Sequence, residues 1–216
     1  MTARLWAWVV FVASFAAINY VGNYVGSGKS DRDVLYHYST AAGGAIVYAI
    51  LLGIAISITV GGEPRRLLAL RRPRSLPETV GAGVAVLVFV FVLSLVLDPI
   101  LHPGKEQGLT PTRWEPSHAG AYAANFVVIA LVAPVVEELI FRGLGFALLE
   151  RYGRWVAIVV VGIAFGLAHG LVHALPLLAA FGCGLAWLRS RTGSVYPGMV
   201  LHAIFNSVAL VIAVTT

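Results

Sequence analysis

Apolar residues in this chain fall into long runs separated by short charged clusters, not into the one-sided stripes of a water-soluble helix or strand. The first run extends from Leu5 to about Val25. A second lies within the uncharged stretch Val34 to Gly62, and a third between Thr79 and Leu97. A fourth starts near Ala119 and reaches about Glu150, interrupted by Glu137, Glu138 and Arg142. The stretch Trp155 to Leu188 is also uncharged, and as one helix it would measure about 50 Å, against a bilayer core of roughly 30 Å. Gly170 and Pro176 offer a break, so it reads as two helices joined by a tight turn. A last run covers about Val195 to Val214. The expected fold is therefore all-α, a transmembrane bundle of about seven spans.

Loop charge gives an orientation. With the loop 63–78 on the cytoplasmic side, alternation places Arg4, Arg65, Arg66, Arg71, Arg72, Arg74, Arg151, Arg154, Arg189 and Arg191 inside. Lys29, Arg32, Lys105 and Arg113 fall outside. That bias predicts a cytoplasmic N-terminus and an external C-terminus, and the expected location is the bacterial cytoplasmic membrane. The first run follows Arg4 and resembles a signal peptide, but it is long enough to span and reads as a retained anchor. The loop 98–118 is the longest external one and would lie on the membrane surface or cap the bundle.

Composition agrees with this picture. Of 216 residues, 59% are hydrophobic and 12% charged, and mean hydropathy is +0.86. These values exclude a disordered chain and a nucleic-acid-binding domain. The net charge of +5 belongs to the loops and their topology. Cys183 is the single cysteine, so an intrachain disulfide and a cysteine metal cluster are both excluded.

The ionisable groups inside the runs need a reason, because a charge at a helix centre costs roughly 2.5–3.5 kcal/mol on translocon scales. Glu138 and Arg142 stand four apart and can pair on one helix face. Glu137 points about 100° away and lacks that partner. The fifth helix ends with Phe165 and His169, and the seventh carries His202 and Asn206, four apart on one face. Measured from the cytoplasmic helix ends, Glu137 lies about 20 Å deep, His169 about 22 Å, Asn206 about 17 Å and His202 about 11 Å. Three helices thus contribute polar groups to one broad layer. His173, beside the turn, reads as interfacial, and residues 1–117 show no spacing that suggests chemistry.

These motifs resemble those of the CPBP intramembrane proteases, the CAAX protease and bacteriocin-processing (Abi) family. Glu137, Glu138 and Arg142 match Glu-Glu-x-x-x-Arg, Phe165 and His169 match Phe-x-x-x-His, and His202 and Asn206 match His-x-x-x-Asn. The resemblance covers about residues 120–214, which suggests a catalytic unit at 118–216 behind N-terminal helices at 1–117. It implies an intramembrane endopeptidase. Glu137 would be the general base and His169 would help hold the water. His202 and Asn206 would stabilise the oxyanion. Glu138 and Arg142 would steady the site, and Phe165 would pack its wall. Glu137, His169 and His202 are also candidate ligands for Zn²⁺, with a metal-free glutamate mechanism equally open. The implied partners are the bilayer and a peptide or protein substrate, membrane-bound or prenylated. Two other readings stand beside this one. The first is a non-catalytic scaffold or bacteriocin-immunity factor of the same fold. The second is a small proton-coupled transporter.

Overall fold

The computed structural model describes residues 2–25, 33–102 and 114–215, which fold into an all-helical bundle with no strand among them. We number its helices α1 (Ala3–Val25), α2 (Tyr38–Thr59), α3 (Pro64–Leu67), α4 (Leu76–Leu101), α5 (Pro116–Tyr152), α6 (Arg154–Ala168), α7 (Leu175–Thr192) and α8 (Tyr196–Thr215). The single turn α3 aside, these occupy the seven predicted segments. Five of them, α1, α2, α4, α5 and α8, are long and apolar enough to cross a membrane. Lys29, Arg32, Lys105, Arg113 and most of the expected external loop lie outside the described residues.

The exteriors explain the composition. On α4, Val84, Val88, Phe91, Val92 and Leu95 are exposed, while Ala82, Val86 and Val90 recur at four-residue spacing and are buried. A soluble protein with such an exterior would aggregate, whereas lipid solvates it. The chain is an integral membrane protein. α4 is longer than the expected 79–97. Ser75 caps its start, with its hydroxyl accepting from the Glu78 amide, and Pro77 suits the first turn. At the far end the helix runs through Pro99 to a left-handed His102.

The helices α6 and α7 pack backbone to backbone. A Cβ added at Gly182 would lie 2.7 Å from the Gly162 carbonyl oxygen, and one at Gly166 would lie 2.9 Å from the Ala179 nitrogen. Small residues allow this approach, and in lipid close packing replaces hydrophobic burial as the attraction. Gly170 (φ +67°) turns the chain between them. α1 secures that turn. Asn19 donates to the Ala168 carbonyl at 2.8 Å and Asn23 to that of Gly170 at 3.0 Å, meeting carbonyls that a helix end leaves unpaired. The main core runs through both halves of the chain, from Leu5 and Trp8 to Phe165, Phe181 and Leu201.

Candidate active site

Glu137 and Glu138 close a short α-helical stretch of α5 between two π-helical turns, Val127–Val132 and Leu139–Gly145. The sequence reading assumed a regular helix here. A π turn shifts the backbone bonding register, and freed carbonyls in lipid need other donors. One carbonyl in each turn has such a donor. Asn206 Nδ2 donates to the Ile129 oxygen at 3.0 Å, and Trp8 Nε1 to the Ile140 oxygen at 3.0 Å.

Glu138 and Arg142 form the expected pair across 2.7 Å, with both side chains 0% exposed. Arg142 also donates to the Gly182 carbonyl at 3.0 Å and lies 4.2 Å from the centroid of Phe165. These contacts tie α5 to α6 and α7. Glu137 faces elsewhere, as its 100° offset requires. Its Oε1 accepts a 2.8 Å hydrogen bond from the Tyr48 hydroxyl of α2. Its Oε2 stands 3.8 Å from His202 Nε2. The other His202 nitrogen, Nδ1, is 3.4 Å from Glu138 Oε1, so this buried imidazole sits between the two carboxylates.

His169 caps α6, and its Nδ1 lies 2.8 Å from the Phe165 carbonyl. A carbonyl only accepts, so Nδ1 carries a proton, and in the neutral form of the ring the lone pair is on Nε2. The Phe165 ring joins the two histidines, with centroids 4.7 Å from His169 and 5.5 Å from His202. Asn206 lies one turn beyond His202 and has one amide proton engaged by Ile129. Its second amide proton has no partner among the described residues. His173 is exposed at the turn, with Nδ1 3.0 Å from the Leu101 carbonyl.

The depth estimates set Glu137 and His202 apart, yet they meet. The turn before α8 is the reason. Ser194 and Val195 are fully buried, and the Val195 amide donates to the Ala69 carbonyl at 3.3 Å. α8 therefore starts inside the protein and not at its surface. His202 lies correspondingly deeper than a count from the helix end suggests.

Three neighbours were not anticipated. Tyr48 is a lone hydroxyl in an apolar run, which sequence reads as packing. Phe181 stacks edge-on to His202 with centroids 5.4 Å apart. Gly198 leaves room for Glu138, since a Cβ there would press on Oε2.

The possible zinc ligands do not converge. Among the described residues no group of three His, Cys, Asp or Glu side chains could hold a metal ion. As they stand, Glu137, His169 and His202 do not fit a tetrahedral site with three protein ligands, and no step below is routed through a metal.

Residues 119–208 match the family described as Type II CAAX prenyl endopeptidase Rce1-like. Over 86 residues the chain is 30% identical to a Bacillus subtilis (strain 168) protein named "Putative membrane peptidase YdiL". That stretch is 39% of this chain and 35% of the relative, so the match spans about a third of the relative's length. No solved structure matches the chain. Glu137, Glu138, Arg142, Phe165, His169, His202 and Asn206 all lie within residues 119–208, and the resemblance to the CPBP proteases holds across the region that builds the site.

Proposed function

We propose that this chain is an intramembrane endopeptidase that hydrolyses a peptide bond with water activated by Glu137. The observation that carries the reading is the aim of Glu137. Tyr48 holds Oε1, and Oε2 is left facing His202 Nε2 across 3.8 Å. That gap is too long for a direct hydrogen bond and lets one water touch both atoms. Glu137 takes the proton of the attacking water, and closure of the site around a substrate brings the Nε2 lone pair of His169 to the water's other hydrogen. The oxygen lone pair is then turned toward the substrate carbonyl. His202, when Nε2 is protonated, and the second amide proton of Asn206 donate to the oxyanion that forms. The proton held by Glu137 passes to the leaving amine.

Glu138 and Arg142 take no proton in this scheme. They set the position of His202 and the packing of α5 on α6. The substrate is a peptide or protein presented at the membrane, prenylated tails included. The membrane is the bacterial cytoplasmic one, with the N-terminus inside, as the arginine-rich loops favour.

The test is cleavage by purified protein in bicelles, first against prenylated and unprenylated peptide libraries and then against any peptide that is cut. Glu137→Gln, His169→Ala and His202→Ala should each lose about a hundredfold or more in kcat/KM while keeping the wild-type unfolding profile. Equal cleavage by all three variants would sink the mechanism. Proton-coupled flux in liposomes without cleavage would move the assignment to a transporter. Full biological function with Glu137→Gln would move it to a scaffold.

A further inference from the structure

A second polar site lies at the end of the bundle where α1 begins and α2, α5 and α7 stop. Glu150, on its rim, is thirteen residues along α5 from Glu137, a rise of about 20 Å. The cavity there measures about 790 Å³, the size of a small-molecule site. Arg4, Arg66, Arg71 and Arg189 line it, against Glu63 and Glu150.

Part of this charge has a structural use. Arg4 donates to the Val60 carbonyl at 3.1 Å and Arg71 Nε to the Gly193 carbonyl at 2.6 Å. Both cover the partial negative charge at the ends of α2 and α7. Arg66 and Arg189 are left over. Among the described residues no ion pair joins any of the four guanidiniums to a carboxylate. Arg189 is only 5% exposed, yet its Nε has no hydrogen-bond partner. Its guanidinium carbon lies 5.2 Å from the centroid of Phe146.

A buried guanidinium with an unmet donor is costly, and an anion removes the cost. The planar fork of arginine matches phosphate oxygens, and three helices long and apolar enough to cross a membrane, α1, α2 and α5, start or end beside the cavity. We propose that this cavity binds a phosphate-bearing anion, with Arg189 at its floor and Arg66 at its rim.

The experiment uses the full chain in phosphatidylcholine nanodiscs. One arm adds phosphatidylglycerol and counts retained lipid by native mass spectrometry. The other titrates inorganic phosphate by calorimetry. Binding is expected in at least one arm. Arg189→Gln should weaken it about tenfold, the effect of losing one hydrogen bond to a charged group. Arg66→Gln is exposed and safe for folding, and should weaken it about threefold. Arg154→Gln, an exposed arginine outside the cavity, should leave it unchanged. Retention of phosphatidylglycerol alone identifies a lipid headgroup, and binding of phosphate as well identifies a soluble anion. The proposal is overturned if neither probe binds above the phosphatidylcholine background. It is equally overturned if Arg66→Gln and Arg154→Gln behave alike. Neither result bears on peptide cleavage.

Discussion

Replacing Arg142 with methionine tests how the buried polar layer is held together. The change removes a 2.7 Å ion pair to Glu138, a 3.0 Å donor to the Gly182 carbonyl and a cation packed 4.2 Å from the Phe165 centroid. Both members of the pair are completely buried, so water cannot take over. Breaking such a pair from one side costs about 3–5 kcal/mol, mostly for the charge left behind. Two features place Arg142→Met near the bottom of that range. His202 Nδ1 already lies 3.4 Å from Glu138 and can answer part of its charge. The pair also joins residues one turn apart, and it can persist in an unfolded state that keeps its helices. We expect a loss of about 3 kcal/mol. Replacing both residues, as Glu138→Gln with Arg142→Met, should recover about half of it, because no net charge is then stranded. The assay is reversible unfolding in bicelles by dodecyl sulfate, followed by tryptophan fluorescence. A loss below about 1 kcal/mol for Arg142→Met, or additivity of the two changes within about 0.5 kcal/mol, would refute the reasoning.

Three further outcomes are expected. Tyr48→Phe deletes the bond that aims Glu137 and should lower kcat about tenfold, with KM and thermal stability little changed. An equal loss of stability would assign Tyr48 to packing alone. Gly198→Ala puts a methyl group against Glu138 Oε2 and should destabilise the fold by about 1–3 kcal/mol, while Val200→Ala on the exposed face of α8 should cost under about 0.5 kcal/mol. Dialysis against a strong chelator should leave cleavage within twofold of untreated protein, and loss restored by added Zn²⁺ would place the water on a metal.

Local geometry carried much of this site. The four-residue spacing of Glu138 and Arg142, and of His202 and Asn206, sets their shared faces whatever surrounds them, and Gly170 announces the turn that follows His169. What escaped was set by partners far away in the chain. Tyr48 meets Glu137 across 89 positions, and Trp8 reaches Ile140 across 132. No periodicity within one helix encodes such contacts. The π turns escaped for a similar reason. Their apolar residues suit an α-helix equally well, and the donors that settle the difference, Trp8 and Asn206, come from α1 and α8. The buried start of α8 escaped because Ser194 and Val195 look like an ordinary loop until Ala69 is folded over them.

The part of the chain that resembles known peptidases begins at residue 119, yet much of what holds its polar groups in place comes from before it. Trp8, Asn19, Asn23, Tyr48 and Ala69 reach into α5, the α6–α7 turn and the start of α8. The recognisable region is therefore not a transferable part. A chimera that grafts residues 119–208 of a relative onto this N-terminal half would join a reactive layer to braces shaped for another one. Exchanges that carry α1 and α2 along with α5 to α8 are the ones that should yield working hybrids.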